Sequence, residues 1–153
     1  MARGVPNEPI AYVLAADRGL PSEEQTIFHI KPKTGRDANK VTKFYIGAYI
    51  EKDEGGRDLD ERAANAADVS AFKYLVKKIE NYCFSDGYYE KHPTVKEKAV
   101  KINTIDGEDL YFVPTLDTED MIADVCQDLD SDSLREIIGV ANNLNKLKEG
   151  QKK

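Results

Sequence analysis

The residues best equipped for chemistry in this chain are few and lie apart. Asp128-Leu129-Asp130-Ser131-Asp132 sets carboxylates at alternate positions, as the opening of a calcium loop does. Such a loop needs Gly at its sixth position and a bidentate Glu at its twelfth, to turn the chain sharply and then close the oxygen shell. Those positions hold Ser133 and Gly139, so the run reads as helix capping in a polar link. No metal site is read from it. His29 sits inside an apolar stretch and His92 beside Pro93 in a charged one, and neither has Ser or Cys at a recognisable nucleophile spacing. Cys83 and Cys126 lie in apolar contexts with no second Cys or His at ligand spacing, which fits buried free thiols. Thr34-Gly35-Arg36 lacks the following Lys and Ser or Thr of a phosphate cradle and reads as a turn into a helix. The Lys-rich stretch up to Lys101 is diluted by Glu90 and Glu97 and has no aromatic ladder for bases. No catalytic residue and no cofactor is assigned, and a non-enzymatic protein is expected.

The element that must carry most of the core is the segment Asp60 to Phe84. Val69, Phe72, Leu75, Val76, Ile79 and Cys83 recur three or four apart, with Lys73, Lys77, Lys78 and Glu80 on the other side, so the spacing predicts one long amphipathic helix. Before it, Gln25–Lys31 reads as a strand and Ile10–Ala16 as its hairpin partner, with a helical turn over its alanines as the alternative, the two joined by a turn with Gly19 and Pro21. Val41, Phe44, Tyr45, Ala48 and Tyr49 predict a helix over Asp37–Lys52, and Gly55-Gly56 a flexible link. Beyond Ser85-Asp86-Gly87 the segment Tyr88–Lys101 reads as an irregular loop with little core contact. Val100 and Ile102 with Leu110–Val113, around Asp106-Gly107, predict a second hairpin that Pro114 closes.

Two helices complete the chain. Asp117 or Thr118 can cap the first, which runs through Asp128 and buries Met121, Ile122, Val125 and Leu129; Ser133 with Glu136 can form a capping box for the second. On the second, Leu134, Ile137, Ile138, Ala141 and Leu144 form an apolar stripe that Leu147 extends. Two destinations are read for that stripe: packing of the whole of it on the Asp60–Phe84 helix, which general grounds favour because terminal helices usually dock to the core, or use of part of it to receive an amphipathic segment of a helical partner. The expected fold is α+β, a helix-dominated single domain over residues 10–147 with a small N-terminal β-hairpin, a disordered start over 1–9 and a polar tail over 148–153.

Composition narrows the function classes. The 153 residues are 41% hydrophobic and 33% charged, values of a folding chain with a heavily charged surface. A net charge of -6 argues against nucleic acid as a partner, because that affinity rests on clustered Lys and Arg releasing counterions. No apolar run approaches the ~20 residues of a membrane span, and the opening residues lack a signal-peptide core, so a cytosolic protein is expected.

The order of several short motifs is familiar. Gln25-Thr26-Ile27-Phe28 is followed by the turn Lys31-Pro32-Lys33-Thr34-Gly35-Arg36, by Ile79-Glu80-Asn81-Tyr82 and Asp86-Gly87, then by Leu134-Arg135-Glu136-Ile137-Ile138 and Asn142-Asn143-Leu144-Asn145. Over most of residues 25 to 147 this resembles the small tail assembly chaperones, and related structural-module proteins, of long-tailed bacteriophages. The resemblance implies an escort in the host cytoplasm. Its partner is the helical tape measure protein, held until tail tube protein polymerises around it, with self-association left open. The alternative is a virion component such as a neck, tube or capsid-associated subunit; an enzyme or regulatory binding protein of the host cell is a third.

Overall fold

A computed structural model describes residues 8–46, 49–51, 57–59, 61–103 and 106–151, with side chains over 8–46, 62–102 and 106–143. Its centre is a five-stranded antiparallel sheet in the order β1-β2-β5-β7-β6. The strands are β1 (Ile10–Val13), β2 (Ile27–Ile30), β5 (Val76–Tyr82), β6 (Val100–Asn103) and β7 (Asp109–Leu116). A separate two-stranded ladder joins β3 (Tyr49–Glu51) to β4 (Arg57–Leu59). The helices are α1 (Gly35–Ile46), α2 (Glu61–Leu75), α3 (Asp86–Lys91), α4 (Pro93–Lys98), α5 (Glu119–Asp128) and α6 (Ser131–Gln151). The protein is thus a mixed α+β chain. Its N-terminal hairpin exists, but as one edge of a larger sheet.

The largest departure from expectation is the Asp60–Phe84 segment, which is a helix only to Leu75 and continues as β5 without a loop. Apolar residues in a regular strand alternate, whereas Val76, Ile79 and Tyr82 are buried at intervals of three. Two local irregularities produce that spacing. The β2–β5 register shifts by one between His29 opposite Lys78 and Ile30 opposite Val76, a bulge that leaves Lys77 as the extra residue. Further on, Asn81 adopts a φ of 58° and sits between the pairs Glu80–Thr115 and Tyr82–Val113. The residue facing that gap is Pro114, which has no amide proton to give the ladder. The doubly irregular strand therefore imitates helical periodicity.

A row runs straight across four strands through Tyr12, Phe28, Ile79 and Leu116, all on the face that the helices cover. Phe28, Ile79 and Leu116 are fully buried, and Phe72 of α2 meets Phe28 edge-to-face at 6.4 Å. Ala67, Ala71, Phe72 and Leu75 form the buried face of α2, the small alanines letting α2 approach its neighbours. α1, α5 and α6 pack on α2, so this helix is the hub between sheet and outer helices. The other sheet face carries the row Val13, Ile27, Glu80 and Thr115, with the His29 Nε2 hydrogen-bonded to Glu80 at 2.8 Å beside it.

Several smaller expectations change as well. The helix predicted through Lys52 ends at Ile46, and Tyr49 lies in β3. Pro114 does not close the second hairpin: β7 continues through it to Leu116. Thr118 does cap α5, accepting from the Met121 amide, but α6 is capped by Asp130 rather than by a Ser133–Glu136 box. Glu136 instead accepts from the Tyr12 hydroxyl and the Ala15 amide, fastening α6 to the end of β1. The tail expected from Lys148 is helical to Gln151. Residues 1–7 of the expected disordered start, the Gly55-Gly56 link and residues 152–153 lie outside the described residues.

Candidate functional site

Ser85 opens α3 by accepting from the Tyr88 amide, and its own amide and hydroxyl donate to Asp128 at the end of α5. Tyr82 also donates to Asp128, at 2.8 Å. The carboxylate that begins the acidic run therefore ties β5, α3 and α5 together, and Asp130 serves as a helix cap. Among the described residues, no group of three or more His, Cys, Asp or Glu side chains converges as a metal would require.

This knot places Phe84, Tyr88 and His92 at intervals of four, one above another. Phe84 stacks on Tyr88 at 3.9 Å and 12°, and Tyr88 on His92 at 4.1 Å and 18°. The stack is held from its side. Tyr88 donates to Asp124 at 2.9 Å, and the His92 Nδ1 lies 3.0 Å from the Tyr88 carbonyl. Burial, and then the bond to the Asp124 carboxylate, push the Tyr88 phenol well above its ordinary value, so it remains a donor. Tyr89 turns the other way into the core and donates to the Tyr111 carbonyl at 2.6 Å, its phenol pushed up to about 12 chiefly by burial. Pro93 then starts α4, where its missing amide proton is not needed.

Beside the stack lies a groove of about 600 Å³ between α4, β7 and α5. Val95, Val113, Pro114 and Met121 give it apolar walls, and Thr94, Lys98, Thr115 and Asp124 put polar groups around them. A mostly apolar hollow with a few convergent polar groups is the usual form of a binding site. The segment expected to be an irregular loop with little core contact, Tyr88–Lys101, thus builds one wall of a mostly apolar groove. Its signal was present in the spacing of Phe84, Tyr88 and His92. Gly87 and Pro93 concealed it, because at helix starts neither residue interrupts anything.

A second polar centre lies at the start of α1. Thr34 and Asp37 form a reciprocal capping box, with the Asp37 amide donating to the Thr34 hydroxyl and the Thr34 amide to the Asp37 carboxylate. Lys31 and the Tyr74 hydroxyl donate to the same carboxylate. Burial alone would raise the pKa of Asp37; the Tyr74 hydroxyl, the Thr34 amide and Lys31 outweigh it and hold the group far below the carboxylate range. The turn that resembled a weak phosphate cradle is therefore filled by the protein's own carboxylate.

The sequence-predicted partner stripe is divided by the fold. Ile137 and Ala141 are buried at 1% and 2% exposure, so Ile137 belongs to the core and is not presented to a partner. Leu134 is half-buried and packs against the core, and Ile138 is half-buried. The side chains of Leu144 and Leu147 lie outside the described residues. α6 packs on α2, the destination that general grounds favoured for this stripe. His29 pairs with Glu80 on the sheet surface, His92 joins the ring stack, and neither cysteine is bonded in a disulfide, with Cys126 buried and Cys83 half-buried. No family model, curated protein or solved structure matches the chain. Among the described residues no helix is long and apolar enough to cross a membrane.

Proposed function

We propose that this protein is a non-enzymatic tail assembly chaperone of a long-tailed bacteriophage. In the host cytoplasm it escorts the tape measure protein until tail tube protein assembles around it. The reading begins from the motif order described above. The observation that carries it at the level of structure is the apolar groove between α4, β7 and α5, on a chain whose surface is otherwise heavily charged. An escort needs to cover apolar side chains of its client and later release them. A shallow groove with a few apolar anchors meets both needs, since a few well-packed anchors carry most of an interface's affinity.

Thr94 and Thr115 line the groove and are exposed, so they can be changed without opening the core. Thr94→Arg and Thr115→Arg together should fill and charge the groove while leaving the melting temperature nearly unchanged. Co-purification with co-expressed tape measure protein should fall at least about tenfold, the loss of one well-packed anchor. Undiminished capture by the folded double variant would remove the groove from the function. Mass spectrometry of purified particles addresses the wider reading, with absence expected. Stoichiometric copies there would favour the virion-component alternative.

A further inference from the structure

Tyr74, whose hydroxyl is committed to Asp37, has its ring surrounded by ammonium groups. Lys40 lies 4.6 Å from the ring centroid, Lys77 5.3 Å and Lys31 5.4 Å. They come from α1, from the bulge of β5 and from the end of β2, so only the tertiary fold assembles them. Lys73 joins Lys40 around a hollow of about 300 Å³ whose other lining residues are Phe44, Ser70, Tyr74 and Glu119. Lys31 is neutralised by Asp37 at 3.1 Å, whereas among the described residues Lys40, Lys73 and Lys77 form no ion pair.

We infer that this lysine collar around Tyr74 is a docking site for a short, carboxylate-rich segment of a protein partner. Lys40 and Lys73 line the hollow and Lys77 lies over the Tyr74 ring that forms one of its walls; these like charges repel one another, and an anion placed among them relieves that repulsion. Cation–π contact with Tyr74 holds the ammonium groups close to the hollow, so the charge is arranged before the partner arrives. The aromatic floor of Tyr74 and Phe44, which meet edge-to-face at 6.3 Å, suits the methylene groups of glutamate side chains. Length selects the occupant. The chain as a whole carries -6, so a long polyanion such as a nucleic acid would gain at the collar and be repelled beyond it, while a short acidic segment stays within reach of the lysines, with Glu119 setting how far it extends. The site is separate from the groove between α4 and α5 and does not depend on it.

The test uses the full chain and a fluorescein-labelled hexaglutamate peptide, followed by fluorescence anisotropy. Saturable binding at low salt is expected, weakening steeply as salt is added. Lys40 and Lys77 are exposed, so a Lys40→Glu, Lys77→Glu double variant should keep its melting temperature and lose at least about tenfold in affinity. Lys91→Glu, on α3 away from the collar, should bind as the wild type does. No binding at low salt, or equal loss in the double variant and Lys91→Glu, overturns the site. Tighter binding of a single-stranded oligonucleotide of equal charge overturns the acidic-segment assignment in favour of nucleic acid.

Discussion

At the scale of single residues, Asp37 concentrates several interactions in one carboxylate. It is 2% exposed, and it holds the start of α1 to β2 through Lys31 and to α2 through Tyr74. Removing one partner from such a buried cluster strands the others, so Asp37→Ala should cost about 3 kcal/mol in denaturant unfolding. Its folded pKa lies below the unfolded value of about 3.9. The stabilisation is therefore complete above about pH 4 and is lost as pH falls through the folded value. Glu80, lowered mainly by its bond to His29, adds a loss of the same sign. The Asp37 contribution is thus the difference between proteins: from pH 5 down to pH 2 the wild type should lose more stability than Asp37→Asn. Parallel pH profiles would contradict the bonding described for this group.

At the scale of elements, the passage from α2 to β5 decides how the core is built. Phe72 and Ile79 are both fully buried, one on the helix and one at the middle of the sheet. Each truncation to Ala should cost about 3 kcal/mol, while Lys77→Ala on the exposed bulge should stay within about 0.5 kcal/mol. Small and equal effects in denaturant melts would place the core elsewhere. Asn81 tests the strand itself. A β-branched residue at φ 58° is strained, so Asn81→Val should destabilise by about 1–2 kcal/mol, whereas Asn81→Gly should be close to neutral because glycine adopts that conformation freely. Equal melting temperatures for the two variants would argue that the left-handed residue is not needed opposite Pro114.

At the scale of the whole molecule, the helices cover one sheet face, with β1 and β6 at its edges. Protection from amide exchange should follow that arrangement. The slowest amides are expected in β5 and the second half of α2, which lie between sheet and helices, and faster exchange in β6, where Val100 is 50% exposed. Exchange measured by mass spectrometry checks this order, and a β6 as protected as β5 would contradict it. The two proposed binding surfaces are lined by different residues, the groove by residues of α4, β7 and α5, the collar chiefly by residues of α1, α2 and β5, with Glu119 at the start of α5. A chaperone with both could hold an apolar client segment and an acidic one independently.

Local chemistry was legible in the chain wherever near neighbours settle the outcome. The β1–β2 hairpin, the pairing of Val100 and Ile102 with the residues around Leu110–Phe112, and the Thr118 cap all depend on turn and cap residues a few positions apart. The α+β class and the core positions Phe72, Leu75 and Ile79 were legible too, because burial follows from apolar type whichever element carries it. The conformation of Val76–Tyr82 was not. Its spacing of three is helical on paper, and only hydrogen bonding to β2 and β7, with a bulge at Lys77 and a left-handed Asn81 facing Pro114, turns it into a central strand. The same holds for the sites. Phe84, Tyr88 and His92 show their spacing in the chain, but their stack becomes a groove wall only when Asp124 and Asp128 draw α5 against it. The lysines around Tyr74 are scattered between positions 31 and 77 and meet only through the packing of α1 and α2 on the sheet. Ile137 belonged on paper to a stripe for a partner; packing on α2 made it core, because a side chain's availability is set by what other elements cover it.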